Sequence, residues 1–149
     1  MLSRTIAIIS MVIISTFAAP LSAETNSKEP FLEGYSPVSY FTAGKPEMGS
    51  PEFTVEHKGK YYYLTSAEQF AIFNKNPDKY APRYDVCPYS LTLGSITPLN
   101  PTNFKIVGDT LLLFHKSDNV DAQALWNNSE LSDQDLIERA DKKYSILRF

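Results

Sequence analysis

Apolar and polar positions change their spacing along the chain, and each change marks an element. From Glu52 to Glu56 they alternate, with Phe53 and Val55 on one face and Glu52, Thr54 and Glu56 on the other. His57-Lys-Gly-Lys60 interrupts this pattern and Tyr61-Tyr-Tyr-Leu64 resumes it. Alternation on both sides of a glycine turn predicts a β-hairpin. At Ser66 the period lengthens. Ser66 and Gln69 form a capping box, in which the serine oxygen takes an orphan amide and the glutamine reaches back. A helix is expected over Ala67 to Asn74, with Phe70 and Phe73 one turn apart and Asn76-Pro77 as the stop. A further turn is expected over Pro77 to Tyr80 and a short helix over Tyr89 to Leu93, ended by Gly94.

Ser95 to Asn103, with two prolines and little periodicity, reads as a connector. A second hairpin pattern runs from Phe104-Lys-Ile-Val107 through Gly108-Asp109 to Thr110-Leu-Leu-Leu-Phe114. Caps within Ser117 to Asp121 predict a short helix through Ala124, Leu125 and Trp126. Ser132 caps a last helix, whose Asp133 and Asp135 suit the positive end of the helix dipole. Leu136, Ile137, Ala140 and Tyr144 share a face, so this helix is amphipathic and expected to cover the sheet. Hairpin, helix, short helix, hairpin, helix, helix is an order without βαβ alternation or a dividing linker. It predicts a single α+β domain with antiparallel strands.

The N-terminus follows another rule. Arg4 is the only charge before Glu24, Thr5 to Phe17 is mostly apolar, and Ala18, Ala19, Pro20, Leu21, Ser22 and Ala23 follow. This reads as a secretory signal peptide over residues 1–23, cleaved near Ala23 into the periplasm or the exterior, with no stable membrane insertion afterwards. Glu24 to Leu32 is expected to be a flexible polar segment and residues 33–149 the domain. Setting Arg4 aside leaves 13 basic and 17 acidic residues, net −4. A mildly acidic, mixed surface argues against a nucleic-acid partner. The remaining length of about 125 residues suits one hydrophobic core.

The ordered phrases Gly34-Tyr-Ser-Pro-Val-Ser-Tyr-Phe41, Gly49-Ser-Pro-Glu-Phe-Thr54, Gly59-Lys-Tyr-Tyr-Tyr63, Ser66-Ala-Glu68, Phe73 with Asn76-Pro77-Asp-Lys-Tyr80, and Cys87-Pro-Tyr-Ser90 resemble the exported YHS-domain proteins. Phe104 to Gly108, Leu112 to Phe114, Trp126-Asn127 and Ala140-Asp141 extend the resemblance over nearly all of the chain after the signal. It implies a hairpin-plus-helix unit akin to treble-clef metal domains over about residues 35–80, with a C-terminal extension over 81–149. Relatives of that module carry thiols around the hairpin, whereas residues 35–80 here hold no cysteine. Exported members resemble this chain in keeping one cysteine after the unit, in a Gly-Gly-Tyr-Cys-Ala-Tyr-like phrase. Here that phrase is Tyr84-Asp-Val-Cys-Pro-Tyr89, without the glycines and with a proline after the cysteine, which restricts its backbone.

Cys87, His57 and His115 form the soft-donor set available for copper or zinc. The alternative is a packed Cys87 between two strand-end histidines. Tyr35, Tyr40, Tyr62, Tyr84, Tyr89 and Trp126 are candidates for contact with a small ligand or a protein, since each pairs an apolar ring with a polar tip. The competing role for these aromatics is core packing. The expected function is a noncatalytic exported binding or accessory domain, with a metal ion or metal-linked partner suggested by the resemblance. A metal-free small-molecule or protein-interaction domain is the second class and a cysteine-dependent enzyme the third.

Overall fold

The computed structural model describes residues 28–147. The signal-peptide reading falls on residues outside that range. Among the described residues, two antiparallel hairpins supply the strands of an α+β fold that also has six helices. In the first hairpin, β1 (Ser50–His57) pairs with β2 (Lys60–Leu64), setting Val55 opposite Tyr62 and His57 opposite Lys60. Lys58 and Gly59 both have positive φ, 51° and 73°, as a two-residue hairpin turn matched to strand twist requires. The register shifts between Ser50 and Thr54. The regular alternation expected from Glu52 is therefore confined to the half of β1 nearest the turn.

The second hairpin joins β3 (Phe104–Val107) to β4 (Thr110–Leu113) across Gly108-Asp109. Before the first hairpin, α1 (Ser39–Thr42) is a single turn within the stretch around Pro37. The domain also begins earlier than residue 33. The Phe31 amide donates to the Tyr61 carbonyl at 2.8 Å and Leu32 is buried, so the end of the segment expected to be flexible is held against β2.

α2 (Ala67–Lys75) starts as its capping box predicts, with the Gln69 amide donating to Ser66 Oγ at 3.2 Å. The glutamine side chain returns to the Thr65 amide at 3.3 Å and also accepts from the Ser36 hydroxyl at 2.6 Å. That contact ties the helix to the chain before α1. Phe73 is fully buried and Phe70 faces outward, so only one of the two predicted phenylalanines is a core residue. α3 (Pro77–Tyr80) and α4 (Pro88–Thr92) are short turns opened by proline, where a missing N–H costs nothing. Asp121 caps α5 (Ala122–Asn127) by accepting from the amides of Gln123 and Ala124. Ser132 Oγ accepts from the Asp135 amide at the start of α6 (Asp133–Leu147).

Two cores result. The first gathers Leu32, Val38, Tyr40, Val55, Tyr62, Leu64 and Phe73 with Leu111 and Leu113. The second gathers Tyr84, Cys87, Leu91, Ala122, Trp126, Leu136, Ile137 and Ala140 with Leu112 and Phe114. Successive side chains of a strand point to opposite faces, so β4 and the residue after it supply both cores alternately. The predicted face of α6 is buried as expected, but its main contact is α4. It reaches the second hairpin through the core that Leu112 and Phe114 share.

Candidate functional site

A cleft of about 300 Å³ opens where the two hairpin turns approach each other. The first turn supplies His57, Lys58 and Lys60; α3 supplies Asp78 and Lys79; the following loop supplies Arg83 and Asp85; and the second turn supplies Asp109. Tyr62, Phe31 and Tyr144 also line it. The charged groups are arranged by depth. Lys60 and Asp85 form the most sheltered pair, with side chains 30% and 15% exposed and 3.1 Å between Nζ and Oδ2. The Tyr144 hydroxyl donates to the other oxygen of Asp85 at 2.8 Å, and the Lys60 ammonium stands 4.4 Å from the Phe31 ring centre. Burial raises the Tyr62 hydroxyl well above the usual tyrosine range, and the Asp85 charge adds to the effect. Tyr62 therefore enters the cleft as a neutral phenol.

Nearer the mouth, Lys58 and His57 both reach Asp78 Oδ1, at 2.6 and 2.8 Å. The Lys58 ammonium, and then the imidazole, hold that carboxyl below its ordinary value. Lys79 and Asp109 are a loose pair at 4.0 Å. Arg83 spans Asp141 of α6 with two bonds, 3.0 and 2.7 Å, in the fork geometry that suits guanidinium to carboxylate.

Cys87 and His115 lie elsewhere. They share the lining of a second cavity, about 210 Å³, between α4 and α5. Cys87 is completely buried at the N-cap of α4, and its amide donates to the Thr97 carbonyl at 2.9 Å. The soft-donor set is thus divided, with His57 in the charged cleft and Cys87 and His115 in the other cavity. Among the described residues no three His, Cys, Asp or Glu side chains come together to hold a metal ion, and the thiol-free hairpin unit supplies no tetrahedral thiolate site. Copper or zinc held jointly by Cys87, His57 and His115 does not fit this arrangement. A nucleophilic thiolate calls for a partly exposed sulfur in an electropositive setting. Cys87 is buried, and no lysine or arginine lines its cavity.

The aromatic candidates divide as well. Tyr40, Tyr84 and Trp126 are core residues whose polar tips are satisfied inside the protein. The Tyr40 hydroxyl donates to the Pro101 carbonyl at 2.6 Å, Tyr84 to Asp141 Oδ1 at 2.8 Å, and Trp126 Nε1 to Asp133 at 2.6 Å. Burial raises the Tyr40 and Tyr84 hydroxyls far above their normal range. Tyr35 is half-buried beside the first core and bridges to Met48. Only Tyr62 and Tyr89 of the six line one of these two cavities, so the expected tyrosine-rich contact surface is mostly interior. The charges of the first cleft had no local motif to reveal them. They come from four chain segments, and only the run His57-Lys-Gly-Lys60 was visible as a cluster.

Searches against protein-family models, curated proteins and solved structures gave no match. No helix among the described residues is long and apolar enough to cross a membrane.

Proposed function

We propose that this chain is an exported, noncatalytic binding domain of YHS type, and that the cleft between its hairpin turns takes a small polar molecule carrying both charge signs. The observation that carries this reading is the composition of the lining. Lys58, Lys60, Lys79 and Arg83 face the same 300 Å³ as Asp78, Asp85 and Asp109. A ligand of one sign would meet its own sign on part of that wall. A zwitterion can offer a carboxylate to ammonium donors and an ammonium to carboxylate oxygens. The cleft is at the small end for ligand sites, which typically measure about 300–1,000 Å³, so the ligand is of amino-acid size. The Lys60–Asp85 pair anchors its inner end, where shelter from water strengthens each charge-assisted bond.

Isothermal titration of the folded domain with glycine, L-glutamate, succinate and putrescine tests the reading. The amino acids should bind more tightly than the dicarboxylate or the diamine. Lys60→Gln should weaken the best ligand by about tenfold or more, the worth of one hydrogen bond to a charged group. Equal affinity for all four, or a Lys60→Gln variant that binds as well as the parent, would remove the cleft from consideration.

A further inference from the structure

The second cavity differs from the charged cleft in chemistry. It holds about 210 Å³, and no aspartate, glutamate, lysine or arginine lines it among the described residues. Leu93, Val120 and Leu125 stand at its lining with 68%, 41% and 44% of their surface exposed. Large apolar side chains left open around an uncharged hollow favour an uncharged occupant, because a charged one would lose its hydration without gaining a partner. An apolar cavity of about 150 Å³ already accepts a benzene ring, which sets the scale of the guest.

The hydrogen bonds of Ser90, Ser95 and His115, three of the polar residues in its lining, narrow the choice. The Ser90 hydroxyl donates to the Cys87 carbonyl at 2.8 Å and the Ser95 hydroxyl to the Ser90 carbonyl at 3.1 Å. Both serine protons are therefore committed to the backbone. His115 Nδ1 lies 3.1 Å from the Pro98 carbonyl; a carbonyl only accepts, so Nδ1 carries the hydrogen. In the neutral ring Nε2 is then an acceptor, and among the described residues no donor meets it. From this geometry we infer that the cavity is a second binding site, independent of the charged cleft, for an uncharged, ring-sized molecule that combines an apolar body with one hydroxyl. The ring lies against Leu93, Val120 and Leu125, and the hydroxyl donates to His115 Nε2.

Phenol is the direct probe, with toluene as the analogue lacking the hydroxyl and benzoate and benzylammonium as charged controls. Titrations followed by methyl NMR of the whole domain should show saturable shifts at Leu93, Val120 and Leu125 with phenol. Toluene should bind about fivefold more weakly, the worth of one neutral hydrogen bond, and the charged controls should leave these methyls unmoved. His115→Phe should reduce phenol to the toluene level. Val120→Asp, at an exposed position chosen so that the fold survives, should weaken both neutral compounds. The inference is overturned if phenol does not shift these methyls, if phenol and toluene bind the parent chain alike, or if benzoate binds as well as phenol. Should His115→Phe fail to fold, the phenol-to-toluene ratio in the parent and the Val120→Asp variant still decide the matter.

Discussion

The two cores meet the same demand by different means. The hairpin core is closed by aromatic contacts and backbone. Tyr62 and Phe73 lie 5.2 Å apart and Tyr40 and Phe104 5.0 Å between ring centres, and the buried Tyr40 hydroxyl bonds a carbonyl. The helical core is closed by carboxylates. Asp133 accepts from Trp126, Asp141 accepts from Tyr84, and Asp121 caps the helix that carries Trp126. Carbonyl acceptors do not titrate in the range proteins survive, whereas carboxylates do. The hairpin core should be less sensitive to acid than the helical one, although both share β4.

The largest effect should come from removing that shared strand. A chain ending at Ala81 keeps β1, β2, α2 and α3 but loses Leu111 and Leu113, the part of the hairpin core supplied by β4. It should show no cooperative thermal transition by circular dichroism. A sigmoidal melt with native-like signal would mean that the first core stands alone.

Smaller losses should follow from trimming β4 in place. Leu111→Ala opens the hairpin core and Leu112→Ala the helical one; each should cost about 2–5 kcal/mol in denaturant unfolding. The informative readout is whether the cores separate. Trp126 fluorescence reports the helical core and the Tyr40 ring resonances report the hairpin core. If β4 couples the two, both probes should shift to the same new midpoint in either variant. Distinct midpoints would divide the molecule at that strand.

The smallest effect should be the pH dependence. Burial acts to raise the Asp133 and Asp141 carboxyls, but the donors outweigh it: Lys105 and Trp126 at Asp133, Arg83 and Tyr84 at Asp141. Both lie below the ordinary 3.8, and Asp121 is brought down to about 2, first by Lys116 and then by the Ala124 amide. Carboxyls lowered by folding stabilise the native state above their unfolded value, and that contribution is lost as pH falls through the folded one. Denaturant midpoints should therefore fall between about pH 4 and pH 2. Asp133→Asn with Asp141→Asn should flatten that slope more than Asp78→Asn, whose carboxyl stands at the mouth of the cleft. An equal slope in the double variant would place the acid-sensitive groups elsewhere.

Much of the fold was legible because its signals are local. The Lys58-Gly59 and Gly108-Asp109 turns, the Ser66 and Ser132 caps and the buried face of α6 each lie within a few residues of sequence. What the sequence left open depends on distant partners. Phe70 and Phe73 have the same chemistry and adjoining positions on one helix, yet only Phe73 meets Tyr62, at 5.2 Å. The site was harder to read for the same reason. The Lys60–Asp85 pair joins residues from β2 and the loop before α4, and spacing alone cannot bring them together. The tyrosines misled because Tyr40 and Tyr84 are indistinguishable in sequence from surface tyrosines, and only the Pro101 carbonyl and Asp141 show where their hydroxyls go.

The alternation along β4 also bears on the order in which the chain becomes available. Ribosomes deliver a polypeptide from its N-terminus, and contacts between distant segments must wait for the later one. Here β1, β2 and α2 emerge with Tyr62, Leu64 and Phe73 exposed until Leu111 and Leu113 follow, more than thirty residues later. During that interval an aromatic hairpin is open to other chains. The protein's period of greatest aggregation risk is thus set by the distance between its first hairpin and the strand that completes it.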